Sequence, residues 1–180
     1  MFKNIWQILI LIIITSFLAL LQFSFISSLP SPFCQINLLL IVLIFTLFFL
    51  DFRTALISAL IAGFWLDLMS FSFFGLYLTV FFICLFFAEW ILKNLLTNRS
   101  FYSLLAIMTG ITFFYNFLVA ALFYIFSAEK LVFFLWQKSF WLTTAYQCLW
   151  SLLSAVILFN LAVLVSKRIK PFFLDKKSLV

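Results

Sequence analysis

Gly63-Phe64-Trp65-Leu66-Asp67-Leu68-Met69-Ser70-Phe71-Ser72-Phe73-Phe74-Gly75 lies between two long apolar runs and holds two of the chain's three glycines. It also holds Asp67, the acid least expected in such surroundings. A carboxylate within apolar sequence is costly in lipid, so it should face protein or water, and it is a functional candidate by default. Gly63 and Asp67 are four apart and share a helix face. A glycine one turn before the acid lets another backbone come close, the small-residue logic of packing in membranes. Gly75 opens the next apolar run and can supply the positive φ that a tight turn needs. Two readings stay open. In one, Asp67 sits at the interface, capping or solvated, and the glycines are packing positions. In the other, this face makes a helix–helix or partner-protein contact.

The surroundings decide the solvent. The chain is 68% hydrophobic and 9% charged, with a mean hydropathy of +1.32. Water-soluble domains are nearer ~45–50% apolar and ~25% charged. So little polar surface requires a bilayer, and 180 residues leave no room for a second, soluble domain. The expectation is one integral membrane domain over 1–180. The net charge of +6 reads as loops facing anionic lipid, not as nucleic-acid binding. Cys34, Cys84 and Cys148 are scattered and odd in number, and there is no histidine. That gives no support to a disulfide framework or a zinc site.

Working outward, the apolar runs predict an all-α, polytopic fold of about six transmembrane helices. The expected spans are 8–26, 36–50, 54–69, 76–92, 101–126 and 139–165, with the second and third near the lower limit for crossing ~30 Å of hydrocarbon. The first is taken as retained, because Ser27-Ser28-Leu29-Pro30 offers no small-residue cleavage site. Pro30 and Pro32 break the chain after it. Leu131–Trp136 is expected in the headgroup region. With the N-terminus inside and six spans, nine of the eleven lysines and arginines fall on the inner side, Arg53, Arg99 and the basic tail among them. Only Lys130 and Lys138 fall outside. That asymmetry places both termini in the cytoplasm.

Few constellations carry chemistry. Glu89 precedes Lys93 by four, the favourable order for a helical ion pair, and Arg53 is a second candidate partner on the same side. Gln22, Asn37, Asn116, Gln147 and Asn160 sit in or near spans. Interhelical hydrogen bonds are their expected use, and a polar substrate path is the sharper alternative. No histidine can serve as a base. There is no GxSxG elbow, no carboxylate cluster and no phosphate-cradling loop. Neither an enzyme nor a bound cofactor or metal is expected.

These residues resemble the MreD family of small, multi-span, rod-shape-determining proteins of bacteria. The likeness runs from Ile36 to Ser100. It is carried by Asn37-Leu38-Leu39-Leu40, the basic turn at Arg53, Ala62-Gly63-Phe64-Trp65-Leu66-Asp67-Leu68, Gly75-Leu76 and Asn98-Arg99-Ser100. Ile36-Asn37 stands where the family usually carries Pro-Asp, and Trp65 where a second glycine often precedes the acid.

The resemblance implies a non-enzymatic component of the cell-elongation machinery in the cytoplasmic (inner) membrane. It would work beside an MreC-like protein, the actin-like MreB, and the peptidoglycan synthase RodA with its transpeptidase partner. It also implies a fold similar to the substrate-binding (S-component) subunits of vitamin transporters. The expected function is therefore a membrane scaffold that docks the single transmembrane helix of MreC and organises lateral wall synthesis. Gly63, Asp67, Gly75, Arg53, Glu89 and Arg99 are the structural or partner-contact candidates. The rival is a transporter subunit that captures a vitamin-type small molecule. It needs a cavity near the outer surface with convergent polar groups, and the outer loops are poor in polar residues.

Overall fold

The computed structural model describes residues 2–31, 33–70, 73–94, 101–127 and 138–168. Arg99, the Leu131–Trp136 stretch and the tail beyond Arg168 lie outside the described residues. Among the described residues all regular structure is helical. The α-helices are α1 (Phe2–Ser24), α2 (Leu38–Phe49), α3 (Phe52–Met69), α4 (Leu76–Asn94), α5 (Phe101–Ser127) and α6 (Lys138–Arg168). Two short 3₁₀ turns, Ile26–Ser28 and Phe33–Gln35, fill the proline-bearing link between α1 and α2.

Five of these helices are long and apolar enough to cross a membrane; α2 is the exception. Its 12 residues rise about 18 Å, well short of the ~30 Å hydrocarbon core. The second span expected over 36–50 is thus corrected to a shorter helix. Its ends are fixed locally. Asn37 is the N-cap, and its side chain accepts from the Leu40 amide at 3.2 Å. Leu50 is extended, and Asp51 already serves as the N-cap position of α3. Asn37 therefore gives α2 the side-chain acceptor that an aspartate would give there.

Being short does not strand α2, because protein surrounds most of it. Leu39, Leu40, Ile41, Leu43, Ile44, Leu47 and Phe48 are all buried. Helix α2 touches α1, α3, α4, α5 and α6. The other five form a row around it: α1 packs on α3, α3 on α4, α4 on α5 and α5 on α6. Among the described residues α1 and α6 do not touch.

Neighbouring helices in the chain run in opposite directions. Gln22, near the end of α1, bonds Asn37 and Leu39 at the start of α2. Thr46 of α2 faces Ser58 of α3. Asp67 near the end of α3 meets Tyr77 at the start of α4, while Phe52 meets Phe86 at the far end. Phe73, just before α4, stacks on Phe126 near the end of α5. Phe113 of α5 contacts Trp141 early in α6, and Phe101 contacts Phe159 late in it. Strict alternation over six helices brings the first and last described residues to the same end of the bundle.

Candidate functional site

Helix α3 buries one face of small residues, Ala55, Ser58, Ala59, Ala62 and Gly63, followed by Leu66 and Asp67. Such a face lets helix axes come close in lipid, where packing rather than water exclusion drives association. Gly63 is a point of close approach. A Cβ built there would lie 2.6 Å from Leu78 Cα, on the backbone of α4. One turn further on, the carboxyl of Asp67 accepts the Tyr77 amide at 2.8 Å and the Leu78 amide at 3.1 Å. Leu78 is thus gripped twice, through its Cα by the glycine and through its N–H by the acid.

The acid is needed because of what precedes α4. The residue before the helix is Gly75, at φ +94, and it has no side chain with which to cap. The first free amide of the helix, that of Leu76, donates to the Phe73 carbonyl at 3.2 Å. The next two are taken by Asp67. Without it they would be orphaned helix-end donors, each costing several kcal/mol where no water can reach. A negative charge at a helix N-terminus is also favoured by the helix dipole. Asp67 is only 4% exposed, so its oxygens serve the neighbouring helix and not solvent. The structure brings Gly63, Asp67 and Gly75 together as one device that joins α3 to α4. Trp65 points the other way, and its Nε1 donates to Ser16 Oγ of α1 at 3.0 Å.

The remaining candidates do not join this device. Glu89 pairs with Lys93 at 2.9 Å. Arg53 is exposed, and no ion pair is recorded for it among the described residues. Arg99 lies outside the described residues.

Beside the Asp67 cap is a cavity of about 240 Å³, large enough for several waters or a small organic group. Its lining includes the side chains of Gln22, Gln35, Asn37, Tyr77, Tyr115 and Gln147, with Leu66 and Ser70 from α3. Several of the amides are already engaged. Gln22 accepts from the Leu39 amide at 2.9 Å and donates to Asn37 Oδ1 at 3.4 Å. Gln147 accepts from Asn116. Gln35 Oε1 is buried with no hydrogen-bond partner among the described residues. Among the described residues the lining carries no lysine, arginine, aspartate or glutamate, and its amide and phenol groups can hydrogen-bond an occupant. Sequence reading found Gln22, Asn37, Asn116 and Gln147 as isolated polar residues and missed Gln35, Tyr77 and Tyr115. Nothing in their spacing reveals that four helices and a 3₁₀ turn bring them to one place.

Fold and site together define a polytopic helical membrane protein whose most conspicuous acid is spent on architecture. The comparison with known families is specific: the model described as rod shape-determining protein MreD matches residues 1–167. The chain belongs to the MreD family, the multi-pass membrane proteins that determine rod shape. No curated protein and no solved structure matches it.

Proposed function

We propose that this protein is a non-catalytic scaffold in the bacterial cytoplasmic membrane, with both termini in the cytoplasm. It holds an MreC-like partner and, through it, MreB and the RodA synthase with its transpeptidase, and so organises lateral peptidoglycan synthesis. The observation that carries this reading is the family match across nearly the whole chain. The engagement of both Asp67 oxygens by backbone amides supports it, since the acid most suited to chemistry is already committed. Nine of eleven basic residues on one side support the orientation. The test is depletion combined with affinity capture. Rounded cells, and recovery of the MreC-like protein on the tagged chain, are expected. Normal rods together with no recovery would remove the reading.

One observation favours a second reading, capture of a small molecule in the manner of transporter S-components. The cavity has convergent amide and phenol groups, and they come from several helices, the cap of α2 and a 3₁₀ turn, not from the polar-poor loops. Mass spectrometry of the purified protein decides between the two. A stoichiometric small molecule that is lost from Tyr115→Phe or Asn37→Ala would favour capture.

A further inference from the structure

We infer that the polar chamber beside the Asp67 cap binds one uncharged, hydroxyl-bearing molecule or head group of the size of a single sugar ring. This deepens the capture reading above by naming the class of molecule, and it holds whether or not that molecule is transported.

Size and charge set the first limits. At about 240 Å³ the chamber has the volume of about eight waters and falls below the ~300 Å³ at which pockets for drug-sized ligands begin. One substituted ring fits, and a dinucleotide does not. Gln22 lies near the end of α1, Asn37 caps α2, Ser70 follows α3 and Tyr77 begins α4. The chamber therefore sits toward the end of the bundle away from the first and last described residues. Tyr115 lies midway along α5, so the chamber reaches inward from that end. Among the described residues its lining carries no lysine, arginine, aspartate or glutamate. An ion entering it would give up water and meet no opposite charge. The neighbouring Asp67 has both oxygens committed to the Tyr77 and Leu78 amides, and its charge opposes an anion further. The occupant is neutral.

The hydrogen-bonding inventory narrows the class. A glutamine side chain has one acceptor oxygen and two N–H donors. Gln22 spends its oxygen on the Leu39 amide and one N–H on Asn37, which leaves the second N–H. Gln147 spends its oxygen on Asn116. Among the described residues neither its amide nitrogen nor the Tyr77 hydroxyl hydrogen-bonds another protein group. The spare groups are thus mostly donors, which call for acceptor oxygens. Gln35 adds the opposite demand. Its Oε1 is buried with no hydrogen-bond partner among the described residues, a rarity in folded proteins. The last torsion of a glutamine is soft, so a turn of this amide presents the oxygen to the chamber. Hydroxyl groups meet both demands, since each accepts and each donates. The rings of Phe23, Tyr77 and Tyr115 and the side chain of Leu66 supply the apolar wall on which the C–H face of a sugar or cyclic polyol rests.

The test uses the full chain, taken from cells in polymer nanodiscs with its surrounding lipid. What it carries is released and identified by mass spectrometry, and one neutral, hydroxyl-rich molecule per chain is expected. An acyl tail on it identifies a glycolipid head group as the source, and its absence a free solute. The stripped chain is then melted with glucose, inositol, octyl glucoside or glucose 6-phosphate. At least one of the neutral three is expected to raise the melt, and the phosphate is not. Gln35→Leu and Tyr77→Phe are each expected to lower recovery of the molecule about tenfold or more. Stripped Gln35→Leu should melt at or above the parent, because leucine removes an unpaired buried oxygen; a residue that served structure alone would lower the melt instead. Tyr124→Phe, 41% exposed on α5 and outside the lining, should leave recovery unchanged. A charged molecule in place of a neutral one, or full recovery from both Gln35→Leu and Tyr77→Phe, would overturn the class. If that charged molecule were still lost from Tyr115→Phe, the capture reading would stand. No molecule on the parent chain and no melt raised by any probe would overturn both.

Discussion

The chain's three glycines serve different ends, and single substitutions separate them. At Gly63 a methyl group meets the α4 backbone, which cannot move aside alone. Gly63→Ala is expected to cost about 1–3 kcal/mol by forcing α3 and α4 apart. Gly75 has open space around its missing Cβ but a φ of +94, so Gly75→Ala should cost about 1 kcal/mol of backbone strain. Gly110 has neither constraint. Gly110→Ala in the middle of α5 should be neutral or raise stability by about 0.5–1 kcal/mol. Thermal melts of the purified variants in one detergent check the order, and a Gly63→Ala melt at or above wild type would contradict the close approach. At Asp67 the asparagine variant keeps one acceptor and turns the other into a donor facing an N–H. It should lose about 1–2 kcal/mol. Asp67→Ala orphans both amides and should lose about 3 kcal/mol or more. Equal melts for the two would show that the cap does not distinguish the oxygens. The acid and both glycines stand out in the sequence, and the shared face of Gly63 and Asp67 follows from helical period alone. That both act on Leu78 does not, because the target lies on another helix.

Among elements, α2 departs most from its sequence pattern. Its apolar run reads as one more span, but hydropathy cannot tell a helix bathed in lipid from one wrapped in protein. The chain's own caps set its length, Asn37 at one end and the extended Leu50 at the other. Gln22 ties that start to α1 with two hydrogen bonds, one to the Leu39 amide and one to Asn37. Gln22→Leu removes both while keeping the volume, and leaves a buried amide unpaired. A loss of about 1–3 kcal/mol is expected, with faster hydrogen exchange confined to the first turn of α2. Uniform exchange across all helices would mean that the tie is not local. By contrast, the Glu89–Lys93 pair has its lysine side chain 71% exposed, and Lys93→Gln should change stability by less than about 0.5 kcal/mol.

For the whole molecule, alternation of six helices puts the two ends of the described chain at one end of the bundle. The charge count proposes which side of the membrane that is. Reporter fusions at the N-terminus and after the last helix should both report cytoplasm, and opposite answers would overturn the layout. Membership of the MreD family connects this architecture to cell shape.

Composition alone determined the solvent, since a chain so poor in charge cannot present a surface to water, and the spacing of its apolar runs determined a helical bundle. Helical period likewise placed Gly63 and Asp67 on one face. Only the tertiary structure decided what that face holds, which helix sits at the centre, and that Gln35, Tyr77 and Tyr115 share a cavity. Those are relations between segments distant in sequence, set by close packing in three dimensions, and no local pattern of residues encodes them in readable form.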